Sequence, residues 1–349
     1  MEEKDVLKIL EGVVDPELNR NIVELNMIKD IVFNDDKISL KFLLTTESCP
    51  LKEELKNNIV QALKKNGFKE VQINLETMKN DDLKKISSSL KKEKSNKEKI
   101  RNIIAVASGK GGVGKSTITS NLAASFKKIG YSVGILDADI NGPNIPMMFG
   151  IKERPEAIDE MILPIEKYGI KIVSLGFLME EESNAILWRG PLISKAITEL
   201  FEYSLWGELD FLLVDLPPGT GDETLTVGQS LPLDGVLIVT TPQDVSVVDA
   251  KRSAYAFNKL NVKILGVVEN MSYFICPENE KEYDIFGSGG GEKISKYLNI
   301  PLLGKIPIEI EIRKGGDIGE PIVFLNQDLK SSVEFINIAE KIAKVLNVS

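Results

Sequence analysis

The clearest chemistry in the sequence lies in Gly109-Lys110-Gly111-Gly112-Val113-Gly114-Lys115-Ser116, followed by Thr117. The spacing satisfies G-x-x-x-x-G-K-S/T. Glycines in such a loop let successive backbone N–H groups converge on phosphate oxygens. Lys115 is then expected to reach the β- and γ-phosphates of ATP, and the Ser116 hydroxyl to coordinate Mg²⁺. The sequence contains no histidine, so acid–base and metal chemistry falls to Asp, Glu, Lys, Ser, Thr and Cys. Asp215 ends the apolar run Phe211–Val214, where a carboxylate holds Mg²⁺ through water. Asp137 and Asp139 follow the run Ser132–Leu136.

These residues need a strand to deliver the loop and a helix to receive it. Ile103–Ala107 reads as that strand and Thr117–Lys128 as that helix. Further apolar runs at Ser132–Leu136, Ile170–Leu175, Phe211–Val214, Gly235–Thr240 and Lys263–Val268 are continuous rather than alternating. Such runs mark strands covered on both faces. Residues 100–349 are therefore expected to form an α/β P-loop ATPase domain with a doubly wound, mostly parallel sheet. All three aspartates would share its carboxyl edge, where ligands bind in such folds. A last helix, Leu329–Val345, carries Val333, Ile336, Ile338, Ile342 and Val345, a stripe expected to pack on the sheet rather than on a membrane.

Residues 1–78 have a different character. The pattern predicts a helix at Val6–Val14, strands at Ile28–Phe33 and Ile38–Leu44, a helix at Leu51–Asn66 and a strand at Val71–Leu75. This is a small α+β domain. Between the two, residues 79–99 are lysine-rich with few large apolar side chains, as expected of a solvated linker.

Bulk properties exclude several classes. Lys and Arg number 43 against 52 Asp and Glu, a formal charge of -9, which argues against a general nucleic-acid binder. No apolar run approaches bilayer length, and MEEKDVLKIL is no secretory signal, so no membrane partner and a cytoplasmic setting are expected. The only cysteines, Cys49 and Cys276, cannot form a disulfide framework.

Lys110, placed directly after the first glycine, makes the loop resemble the deviant Walker-A ATPases, the group of MinD, ParA and the nitrogenase iron protein. In that group the extra lysine reaches the partner's nucleotide, which implies a homodimer here. Further runs look like the Mrp/ApbC family of iron–sulfur cluster carriers: DADINGPNIP at 137–146, WRGP at 188–191, DLPPGTGD at 215–222, ENMS at 269–272, GKIP at 304–307 and IRKGGD at 312–317. The resemblance spans residues 100–345. It implies Asp139 as the water-positioning residue, Asn270 as an adenine contact, and apo iron–sulfur proteins and cluster assembly factors as partners. The runs VDPE at 14–17 and TTESCP at 45–50 resemble a SufT-like domain.

One departure bears on the cargo. The family's C-P-x-C pair, which holds a 4Fe–4S cluster between two chains, reads here Cys276-Pro277-Glu278-Asn279. Clusters are held by thiolates, usually four, and asparagine is a poor substitute for sulfur. Cys276 is thus the cluster ligand that the resemblance implies. Coordination is completed by Glu278, water or a client's cysteines, or by Cys49; otherwise the chain keeps its ATPase and has lost the cluster. Cys49 reads equally as a ligand or as a small buried residue. The competing readings are a MinD/ParA-like positioning ATPase and a non-hydrolysing, nucleotide-gated scaffold.

Overall fold

A computed structural model describes the chain apart from residues 1, 17, 19, 46–50, 80–81, 85, 87–94, 179–189, 280 and 349. It divides into two compact units, one of residues 1–94 with 156–163, the other of residues 95–155 with 164–349.

The first unit opens with a helix at Glu3–Leu10, whose start is fixed by the Glu2 N–H donating to the Asp5 carboxylate at 2.8 Å. The helix begins before the expected Val6 and ends well before the expected Val14. Beyond Gly12, the β-branched Val13 and Val14 favour extended backbone, and β1 (Val14–Asp15) pairs with β2 (Arg20–Asn21). Strands β3 (Ile28–Asn34), β4 (Lys37–Leu44) and β5 (Glu70–Thr77) form a sheet in that order. β3 and β4 are antiparallel, turning at Asp35 with φ +42°, whereas β5 runs parallel to β4. A parallel return needs a crossover, supplied by the helix Lys52–Lys65 with Leu55, Ile59 and Leu63 buried. Ile38, Leu40 and Phe42 are buried along β4, matching the alternation in its sequence. β8 (Ala157–Ile158) and β9 (Met161–Ile162) form a small ribbon grouped with this unit.

The second unit is an eight-stranded sheet with helices on its faces. Its strands are β6 (Ile100–Ser108), β7 (Val133–Asp137), β10 (Ile165–Lys167), β11 (Ile170–Ser174), β12 (Leu209–Asp215), β13 (Gly235–Thr240), β14 (Ile264–Glu269) and β17 (Leu302–Lys305), in the spatial order β10-β11-β7-β12-β6-β13-β14-β17. Only β10 is antiparallel to its neighbour. This is the doubly wound parallel sheet read from the sequence. The two edge strands were not anticipated: β10 alternates with charged residues, and four-residue β17 is too short for a period to show. A short ribbon of β15 (Phe274–Ile275) and β16 (Glu282–Tyr283) lies between β14 and β17 in the chain.

Packing explains the strand pattern. Phe126, from the helix Lys115–Lys128, stacks on Phe211 of β12 with ring centroids 4.1 Å apart, both fully buried. The last helix, Lys330–Val345, buries Phe335, Ile338, Ala339 and Ile342, an i, i+3, i+4, i+7 face. Of the predicted stripe, Ile338 and Ile342 are buried and Ile336 and Val345 pack partly buried against the core, so the correction falls on Val333. Val333 lies two residues from Phe335, about 200° around the helix, and is 47% exposed. Phe335→Ala should therefore lower unfolding stability by about 3–5 kcal/mol, read from urea denaturation. Val333→Ala should stay within about 0.5 kcal/mol of the parent.

Candidate functional site

β6 ends at Ser108 and the helix begins at Lys115, so the glycine-rich run occupies the turn between them. Gly112 and Gly114 have φ of +78° and +80°, backbone that side chains with a Cβ rarely adopt. Space is as restrictive as conformation. A Cβ on Gly114 would fall 2.2 Å from the Asn270 amide nitrogen, and one on Gly109 would fall 2.1 Å from the Asp249 backbone. Asn270 anchors the loop by donating from Nδ2 to the Val113 carbonyl at 2.8 Å, while its own N–H donates to Thr240 at 2.8 Å. From the other side, the Gly219 N–H donates to the Ser108 carbonyl at 2.9 Å and so ties the segment after β12 to the end of β6. Gly111 is exposed and Lys110 half-buried; the Lys110 ammonium makes no ion pair among the described residues.

Charge converges below the loop. β7 and β12 are in register with Asp137 beside Asp215, and Ser174 of β11 flanks Asp137 on its other side. The Lys115 ammonium, 5% exposed, lies 2.9 Å from Asp215 Oδ2 and 3.2 Å from Asp139 Oδ2. Burial works to lower the Lys115 pKa, but the carboxylates of Asp215, Asp139 and Asp137 outweigh it and hold the amine above its ordinary range. Burial, reinforced by the charge on Asp215, pushes the Asp137 carboxyl well above the usual carboxylate range. It accepts from Ser174 Oγ at 2.9 Å and from the backbone of Asp139 and Ile145, at 3.2 and 3.3 Å. Burial also raises Asp139, against the opposing pull of Lys115. Ser116 Oγ donates to Asp215 Oδ2 at 2.6 Å, and Thr119 Oγ1 reaches Asp215 Oδ1 at 2.7 Å.

The residues singled out from sequence thus separate into two places. Lys115, Ser116, Asp139 and Asp215 meet at one point, with the glycines wrapped above them. Beside it opens a cavity of about 490 Å³ whose lining includes Thr117, Asn270, Met271, Phe286, Pro307 and Arg313. Cys276 lies on the β15–β16 ribbon, half-buried, its N–H donating to the Lys281 carbonyl at 3.0 Å. Exposed Asn279 turns its Oδ1 onto the Lys281 N–H at 3.1 Å. Among the described residues no three His, Cys, Asp or Glu side chains gather as a metal-binding group. Cys49, Trp188 and Arg189 lie outside the described residues.

Two contributors escaped sequence reading. Ser174 is recognisable only once β11 is placed beside β7. Thr119 carried a usable signal, because it follows Lys115 by four residues and so shares its helix face.

Known proteins resemble this chain in sequence and in fold. The profile of the NUBPL iron-transfer P-loop NTPase family matches residues 99–343, and that of an iron–sulfur cluster assembly protein matches residues 3–75. An iron–sulfur cluster carrier protein of Synechocystis is 44% identical over 97% of this chain and 96% of its own length. One from Methanocaldococcus jannaschii is 49% identical over 76% of this chain and 91% of its own. Among solved structures, an Archaeoglobus fulgidus nucleotide-binding protein in complex with ADP is 37% identical, with a TM-score of 0.61 over 74% of this chain and 97% of that one. The Pyrococcus furiosus cell division ATPase MinD shares the fold, with a TM-score of 0.53 at 22% identity over 70% of this chain and 99% of its own. With its phosphate loop, its carboxylate cluster and these matches along nearly its whole length, the chain belongs to the NUBPL iron-transfer P-loop NTPase family, preceded by an iron–sulfur cluster assembly domain.

Proposed function

We propose that this protein is an ATP-hydrolysing carrier of iron–sulfur clusters that works as a homodimer and delivers its cargo to apoproteins. The observation that supports it best is the meeting of Lys115, Ser116, Asp139 and Asp215 beneath the glycine loop. A backbone cradle with a buried ammonium is built for nucleotide phosphates. Lys115 stands ready to exchange its carboxylate partners for β- and γ-phosphate oxygens, and Asn270 and Thr117 border the cavity assigned to adenine.

The donor set fits Mg²⁺. Ser116 and Asp215 offer hard oxygens side by side, and magnesium in such sites takes only one or two protein ligands besides phosphate. Bound there, it would neutralise charge developing on the transferred phosphoryl group. Asp139 is the group assigned to the attacking water. Its carboxylate is 3.2 Å from the Lys115 ammonium, and burial raises its proton affinity against the pull of that charge. Lys110 is assigned to the partner protomer's nucleotide, which makes turnover depend on the dimer.

Cys276 is the proposed cargo ligand, one from each protomer. Two thiolates fall short of the usual four, so the cluster would complete its coordination with Glu278, water or the recipient's cysteines, and would be labile for that reason. We read residues 1–78 as the assembly domain, 79–99 as a linker and 100–349 as the motor. No helix among the described residues is long and apolar enough to cross a membrane, and a thiol-bound cargo suits the reducing cytoplasm.

Two outcomes are expected. Asp139→Asn should slow steady-state ATP hydrolysis by about 10²–10⁴-fold while retaining nucleotide affinity; unchanged turnover would remove Asp139 from its role. Anaerobic reconstitution with iron and sulfide should give the parent a visible charge-transfer band that Cys276→Ser loses, together with its iron per dimer. Equal loading of parent and variant would sink the proposal for Cys276.

A further inference from the structure

Asp215 is fully buried, and its two oxygens are used differently. Oδ2 receives Ser116 Oγ at 2.6 Å and the Lys115 ammonium at 2.9 Å. Oδ1 has a single donor among the described residues, the hydroxyl of Thr119 at 2.7 Å. Thr119 is itself fully buried and has one hydrogen to give. Its alternative acceptor is the Lys115 carbonyl, four residues back in its own helix, at 3.1 Å. The shorter contact to a charged oxygen is the stronger of the two.

A carboxylate turns easily about its last torsion, which has a broad profile rather than sharp wells. With donors at both oxygens, Asp215 is fixed in plane as well as in position. Oδ2 is then held toward Ser116, so that the serine hydroxyl spends its hydrogen on Asp215 and keeps its lone pairs for a cation. Remove the donor at Oδ1 and a buried carboxylate oxygen is left unsatisfied, which drives the group to rotate or relax.

We propose that Thr119 is a positioning residue for the magnesium site: by holding Oδ1 of Asp215, it sets the orientation of the Ser116–Asp215 pair that accepts Mg²⁺ with the nucleotide. The assignment rests on the nucleotide reading of the site given above. Thr119 touches neither metal nor phosphate and acts only through Asp215. Partners of this kind alter metal affinity by about 10–100-fold when lost.

The test measures binding of a fluorescent ADP analogue to the full chain, in EDTA and at graded MgCl₂. Thr119→Val keeps the side-chain shape and deletes the hydroxyl, Thr119→Ala deletes it with less bulk, and Thr119→Ser restores it; urea denaturation establishes that each is folded. Val and Ala variants should need about tenfold more Mg²⁺ or above for half-maximal tightening, with affinity in EDTA matching the parent's and the Ser variant behaving as the parent. Parent-like magnesium dependence in the Val and Ala variants overturns the assignment, as does a Ser variant as impaired as Val. Equal losses in EDTA and in Mg²⁺ overturn it too, since they indicate a general structural role. If the parent itself binds the analogue equally with and without Mg²⁺, the metal reading falls, and this assignment with it.

Discussion

One buried ammonium facing three buried carboxylates organises this molecule. Lys115 is drawn under the glycine loop by Asp215 and Asp139, with Asp137 directly behind. Groups of this kind resist burial unless they compensate one another. The sheet makes compensation possible by ending β7 and β12 in register and setting the P-loop helix above them. The apolar strands therefore do more than fill a core. They exclude water from a point where each charge has to be answered by a neighbour, and where the low local dielectric strengthens every interaction with an incoming phosphate.

That same point was the most legible part of the sequence. A phosphate loop is a local motif, with its glycines, lysine and serine contiguous, and the strand before it and the helix after it announce themselves by composition. Asp137, Asp139 and Asp215 could be placed because each ends an apolar run. What the sequence concealed depends on contacts between distant segments. Asn270 is implied as an adenine contact by the family resemblance; that its amide also holds the Val113 carbonyl, 157 residues away in the chain, could not be read there. Ser174 matters only through its place beside Asp137. In the last helix an apolar count picks Val333 and passes over Phe335, because composition alone does not state which phase of the period faces the sheet.

The proposed cargo ligand depends on the fold in a different way. The phosphate loop is held by neighbours on several sides, so its geometry is set by the packing of the sheet. The ribbon bearing Cys276 is two short strands, β15 and β16, joined to the body by the isolated bridge from Phe274 to Ile308 and by the ion pair of Glu282 with Lys330 at 3.4 Å. A short, lightly paired ribbon places the half-buried Cys276 at a turn rather than in the core. The phosphate loop and the proposed cargo ligand therefore belong to two different kinds of local structure.

Asn279 shows what such a turn leaves unconstrained. Its side chain is exposed and, among the described residues, makes one hydrogen bond, from the Lys281 N–H within its own turn. No core packing depends on it, so exchange between asparagine and cysteine at this position is close to neutral for folding. The number of thiolates this turn can present is therefore not tied to the packing that holds the phosphate loop.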